Sequence, residues 1–214
     1  NTPRSMTLLG QALGREVRAA AFNAAHAEAL AAVRERLPQG AAPKVFLHSR
    51  AGLGEGCCES MARGMFADLL AEAGGDNIAR ERLPGHAGTL SLELLLSQPP
   101  ELYIASAVGS ADSLAEDAPY IALGPGVTAD AAQASLRHLL GRGGLQHLGA
   151  VREGRAHAIW HGFYNSPFNV VAVQVFAKWL YPEAFVDLDP QRTLEHFYRE
   201  FQPVTLDGQY WISL

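Results

Sequence analysis

Apolar residues in this chain recur at two spacings, and each spacing predicts its own kind of element. From Met6 to Leu37, the residues Leu9, Leu13, Val17, Ala20, Ala24, Ala27, Leu30 and Val33 fall three or four apart. Arg15, Arg18, Glu28, Arg34 and Glu35 lie mostly off that face. This predicts one long helix, a rod of roughly 45 Å at about 1.5 Å per residue. Pro38-Gln39-Gly40 stops it. Its weak point is Gly14, because an interior glycine costs about 1 kcal/mol relative to alanine. Beyond residue 38 the pattern changes to short apolar runs. "KVFLHS", "ELYIAS" (Glu101–Ser106), "YIALG" (Tyr120–Gly124) and "AHAIWH" (Ala156–His161) read as four strands. Helical patterns lie at Ser60–Ala73, Ser91–Ser97, Ala129–Gly141, Ser166–Leu180 and Pro190–Phe201. Strands alternating with helices predict a mainly parallel sheet covered on both faces, an α/β fold of three layers, αβα.

Composition narrows the function classes. The chain has 214 residues, 48% apolar and 18% charged, with a net charge of -5. That is enough apolar surface for a substantial core, and it lacks the clustered Lys and Arg of a nucleic-acid surface. No apolar run reaches the ~18 residues of a membrane span. No signal peptide is read at the start, and "NTPRSMTLLGQALG" runs directly into the helix.

The candidate chemistry centres on two loops. "HSRAGLGEGCC" follows the first strand and places Gly52 and Gly54 in two positions of a G-x-G-x-x-G turn, but the third is Cys57. The acid expected about 20 residues further on would be Asp76, in "AGGDNIA", which reads as a helix stop without a clear strand. The Lys-Ser/Thr of a phosphate-binding loop is absent. A nucleotide-binding α/β enzyme is thus the lesser alternative. No nucleophile elbow or zinc-protease motif is present, so no catalytic residue is assigned, the chain is read as a non-enzyme, and no cofactor is called for. Cys57 and Cys58 admit unlinked thiols, a vicinal disulfide or ligand contacts, with unlinked small residues the ordinary reading. They do not have zinc-site spacing. His48 and His161 each end a predicted strand, and Arg50 follows His48. In a parallel sheet such positions lie at the carboxyl edge, where ligands bind. The second loop, "WHGFYNSPFN" (Trp160–Asn169), reads as a binding lip carrying Phe163, Tyr164 and Asn165, or as a helix start capped by Ser166 with its aromatics in the core.

Several segments together resemble one family. They are "FADLLAEAGGDNIA" (Phe66–Ala79), "GTLSLELLLSQPPELYIAS" (Gly88–Ser106), "AVREGRAHAIW" (Ala150–Trp160) and "FVDLDPQRTLEHFYREFQPVTLDGQYW" (Phe185–Trp211). In order and spacing they resemble the periplasmic substrate-binding proteins of ABC importers for iron–siderophore, heme and cobalamin, the class with a rigid helix between two lobes. The resemblance runs from Met6 to the C terminus and is most specific as an ensemble. It implies that residues 1–37 are the interlobe helix and 38–214 the carboxy-terminal lobe, with the amino-terminal lobe and a signal peptide lying upstream. It further implies an exported protein, periplasmic or lipid-anchored, that captures a ferric siderophore or similar iron complex, or else heme or a molybdate-type oxyanion. The partner would be a membrane permease, docked through Glu93. The glycine loop would then wrap a bulky chelate, and no nucleotide is required. Ligand-binding expectations rest on His48, Arg50, Cys57, Cys58, Ser60, His161, Phe163, Tyr164 and Asn165, all expected on one rim.

Overall fold

The structure is a computed structural model that describes residues 2–54, 56–114 and 118–214. Its helices are α1 (Thr2–Leu13), α2 (Glu16–Arg34), α3 (Met65–Glu72), α4 (Leu92–Ser97), α5 (Ala129–Leu140), α6 (Gly149–Arg152), α7 (Asn169–Leu180) and α8 (Pro190–Phe201). Its strands are β1 (Lys44–His48), β2 (Glu59–Met61), β3 (Asp76–Asn77), β4 (Ala87–Thr89), β5 (Leu102–Ala107), β6 (Ala156–Trp160) and β7 (Trp211–Ser213).

Among the described residues, seven strands share one sheet in the order β4-β2-β1-β5-β6-β7, with β3 pairing the same edge of β1 as β2. The centre is parallel: β3, β1, β5 and β6 run together, β2 and β7 run against them, and β4, paired antiparallel to β2, runs with the central set again. Successive side chains on a strand point to opposite faces, and the core divides accordingly. Val45, Leu47, Leu102, Ile104 and Ile159 pack with Phe22, Phe66, Phe176 and Phe197 from α2, α3, α7 and α8. Phe46, Tyr103, Ala105, Ala156 and Ala158 pack on the other face with Leu95, Leu136 and Val151 from α4, α5 and α6. This is the three-layer α/β arrangement expected.

Four sequence expectations are corrected. The helix expected over 6–37 is two helices, broken at Gly14-Arg15. Gly14 has φ 61°. Its N–H bonds the Gln11 carbonyl and the Arg15 N–H bonds the Gly10 carbonyl at 2.7 Å, which is the Schellman stop. The chain then doubles back, so Gly10 meets Ala19, and Asn23 Nδ2 donates to the Pro3 carbonyl. The run 120–124 makes only single bridges, Gly109 to Ala122 and Gly124 to Gln209. Pro119 and Pro125 flank it and cannot donate to a ladder. Residues at the start of the helix expected over 60–73 form β2 instead, and α3 begins only at Met65. Asp76 lies in a short strand after all, paired with Lys44.

Candidate functional site

At the carboxyl edge of the parallel strands, on the α3 and α7 side, lies a cleft of about 430 Å³. Ser49 and Arg50 come from the loop after β1, Glu59, Ser60 and Met61 from β2, and Met65 from the start of α3. Residues 87–89 of β4 form one wall, and His161 and Tyr164 from the turn after β6 form the other. Two of these residues, Arg50 and Met65, hold φ of 47° and 49°. Non-glycine residues rarely adopt such values, and their concentration at a cleft points to function.

The glycine loop is shaped by close approach. Gly52 has φ 90°, and a Cβ there would fall 2.0 Å from the Pro119 carbonyl oxygen. Only glycine lets the loop lie on residues 119–120. The loop is pinned from the sheet by Ser106, near the end of β5. Ser106 is 1% exposed, and its Oγ accepts the Arg50 N–H at 2.7 Å. The same Oγ lies 3.1 Å from His161 Nδ1. One hydroxyl therefore ties both lips of the cleft to the sheet. The His161 ring lies 5.0 Å from Tyr164 and 6.0 Å from Phe66, centroid to centroid. Partial burial, and secondarily the Arg50 charge, push the His161 pKa below its ordinary value. The Arg50 guanidinium pairs with Glu59, Nη2 to Oε2 3.3 Å. The cleft thus offers a cation, a neutral imidazole, a phenol and two methionines: groups for an anionic or aromatic ligand.

Of the nine rim residues expected, Arg50, Ser60, His161 and Tyr164 meet here. The Ser60 hydroxyl is already committed, donating to the Leu47 carbonyl at 2.7 Å. The other five do not line the cleft. His48 points to the opposite face of the sheet, 3% exposed, with Nδ1 2.7 Å from the Tyr103 hydroxyl. Phe163 is fully buried between Trp160 and Tyr210, ring centroids at 5.4 and 5.8 Å. Helical order in the short turn 161–165 sends it into the core while its neighbour Tyr164 faces out. Asn165 is exposed beyond the rim. Cys57 and Cys58 are joined as a vicinal disulfide, contrary to the unlinked reading. Cys58 is buried, its carbonyl accepting the Leu90 N–H, and Cys57 lies against the turn at Gly143. The pair packs the loop onto the α4–α5 side of the sheet rather than into the cleft. Ser166 does not cap α7 from the first turn: its Oγ accepts the Phe168 N–H at 3.0 Å, and α7 starts at Asn169. Glu93 is exposed in the first turn of α4, which Ser91 caps through the Leu94 N–H. Glu59, Met61, Met65 and Ser106 were not foreseen. The alternation that sends Leu102 and Ile104 to the α3–α7 face also sends Ser106 there, and this was the available signal.

Among the described residues, no group of three or more His, Cys, Asp or Glu is placed to hold a metal ion, and no helix is long and apolar enough to cross a membrane.

Comparison with known proteins agrees with the architecture. A TroA-like periplasmic binding protein, FepB from Veillonella parvula, is 25% identical, with a TM-score of 0.89 over 100% of this chain and 61% of its own. The molybdate periplasmic binding protein MolA from Haemophilus influenzae is 15% identical (TM-score 0.67; 97% of this chain, 57% of its own). The periplasmic heme-binding protein RhuT from Roseiflexus sp. RS-1 is 19% identical (TM-score 0.62; 85% of this chain, 62% of its own). The chain therefore spans less than two thirds of each of these relatives. No curated protein matches it. The family model described as periplasmic binding protein matches residues 3–159, well over half the chain, and the protein belongs to that family.

Proposed function

We propose that this chain is one lobe of a two-lobed binding protein that captures a ferric siderophore, or a similar iron complex, for an ABC importer. Residues 38–214 are the carboxy-terminal lobe, and 1–37 are the helical link to an amino-terminal lobe. The protein works in the periplasm, free or lipid-anchored, and Glu93 docks on the permease, where an exposed carboxylate can pair with an arginine. The observation that carries the reading is the meeting of Arg50, His161 and Tyr164 in one cleft at the carboxyl edge of the parallel strands, in a chain of the periplasmic binding protein family. The short span relative to the solved structures supports the missing lobe, as does the exposed apolar face of Leu8, Leu9, Leu13 and Val17. A second reading, heme or a molybdate-type oxyanion, draws on the same cation and on what the relatives MolA and RhuT are named for binding.

Calorimetric titration of a ferric catecholate, a ferric hydroxamate, heme and molybdate tests this, run on the present chain and on the protein extended at its amino end. The extended protein should bind one of them tightly and the present chain weakly or not at all, because half the contacts are missing. Sub-micromolar affinity in the present chain overturns the half-clamp, and no binding by the extended protein overturns the ligand class. Glu93→Ala should leave binding intact and lower transport in cells; unchanged transport removes the docking role.

A further inference from the structure

The hydroxyl that holds the two lips together also decides what the cleft offers to a ligand. Ser106 Oγ has one proton to give and two lone pairs to receive. Arg50 N–H is a donor and fills one lone pair at 2.7 Å. The remaining partner of Oγ among the described residues is His161 Nδ1, at 3.1 Å. Ser106 is 1% exposed, and a buried hydroxyl without an acceptor costs about 1–3 kcal/mol. The Ser106 O–H therefore donates to Nδ1, which must then carry no proton. Burial and the neighbouring Arg50 keep the ring neutral, and a neutral imidazole lacking a proton on Nδ1 carries it on Nε2. The two ring nitrogens point nearly away from each other, so Nε2–H is directed off Ser106. It has no hydrogen-bond partner among the described residues, on a ring that lines the cleft beside Arg50.

We infer that Ser106 is a positioning residue that locks His161 as an N–H donor into the cleft, so that Arg50 and His161 together select an anionic oxygen of the ligand. The imidazole is then not a ligand for a bare metal ion, since coordination through Nε2 would need the opposite tautomer, which would reverse the Ser106 bond and leave the buried Ser106 O–H without an acceptor. This inference rests on the proposed reading of the cleft as the ligand site. The class it selects is an oxygen-donor anion: the oxygens of a chelate or of an oxoanion.

Long-range proton–nitrogen correlation spectra of the full chain near neutral pH read the tautomer directly, with His161→Gln assigning the signals. The expected result is a single His161 tautomer, with Nε2 protonated and Nδ1 bare. Ser106→Ala should lose that single-tautomer signature, and Ser106→Thr, which keeps the hydroxyl, should retain it. A protonated Nδ1 in the unmodified chain overturns the inference whether or not any ligand binds. Sodium molybdate, a ferric catecholate and nickel(II) chloride are then added separately. A shift of the Nε2–H signal with an anion, and none with nickel alone, supports the donor role; nickel seated on Nε2 overturns it. A protonated Nε2 that no probe moves counts against the cleft as the ligand site and removes the recognition role, while the tautomer itself stands.

Discussion

Arg50 and Glu59 face each other at the mouth of the cleft, Nη2 to Oε2 3.3 Å, with both side chains partly in solvent. The pair holds a carboxylate beside the cation that, among the described residues, lines the cleft and would meet an anionic ligand there. Exposed pairs of this kind are worth about 0–1 kcal/mol, so Glu59 restrains Arg50 only lightly. Glu59→Gln should raise affinity for an anionic ligand by up to about fivefold and make it more salt-sensitive, while Arg50→Ala should lower it. Titrations of the two variants at low and moderate salt check the sign. Weaker binding in Glu59→Gln would make Glu59 a direct ligand contact instead.

Neighbouring aromatics in the turn after β6 should separate cleanly. Phe163 is fully buried among Trp160, Tyr210 and Trp211. Phe163→Ala should therefore cost about 3–5 kcal/mol of stability. Tyr164 lines the cleft and is only half-buried, its ring tilted against His161 and Phe66 at the border of the core. Tyr164→Ala should cost clearly less stability than Phe163→Ala and weaken ligand binding. Asn165→Ala, outside the cleft, should alter neither. Denaturant unfolding and titration of the three variants check the division, and loss of binding in Asn165→Ala would extend the site beyond the cleft described.

The break at Gly14 yields a test of opposite sign to the continuous-helix reading. In an uninterrupted helix, Gly14→Ala would stabilise by about 1 kcal/mol. Here Gly14 sits in the left-handed region, at φ 61°, with nothing within 4 Å of the position a Cβ would take. The cost of alanine is then purely conformational, about 1–2 kcal/mol against the fold. Unfolding of the variant decides it: a rise in stability would mean that the two helices are one in solution.

The layered fold was legible because buried strands such as "KVFLH" and helices such as Pro190–Phe201 carry their periods openly. Asp189 caps that last helix through the Arg192 N–H, with Pro190 at its first turn. Misreadings arose where a local signal met a tertiary one. Gly14 reads from sequence as a helix defect, but the next residue's N–H completes a helix stop. "ESM" has too few residues to show a strand period, and it pairs only because β1 and β4 flank it. At the site, strand-end position found Arg50 and His161, but it could not tell the two faces of β1 apart at His48. Nor could the sequence distinguish Phe163 from Tyr164, since a turn only five residues long has no period to read. Ser106 was invisible as chemistry, because its role depends on a loop and a turn brought together from residues 50 and 161.

Of the three buried histidines, His26, His48 and His157, the last two carry the largest expected response to acid. Burial pushes His48 and His157 from 6.5 down to about 4. His48 lies against the Tyr103 hydroxyl, which burial keeps protonated. His157 stacks on Trp179 at 4.5 Å and lies 2.9 Å from Ser213 Oγ. Between about pH 6.5 and about pH 4 the unfolded chain binds protons at these positions and the folded chain does not, so stability falls as pH falls through that window. At about 1.4 kcal/mol per pKa unit, each histidine contributes on the order of 3 kcal/mol to the loss. His157→Phe keeps an aromatic ring on Trp179 and removes the titration. Its unfolding free energy should therefore decline more gently with acid than that of the parent chain. Carboxylates contribute equally to both proteins, so the difference between the two curves isolates His157. Parallel curves across the window would show that His157 titrates normally in the folded state, with Ser213 and Trp179 leaving it open to water.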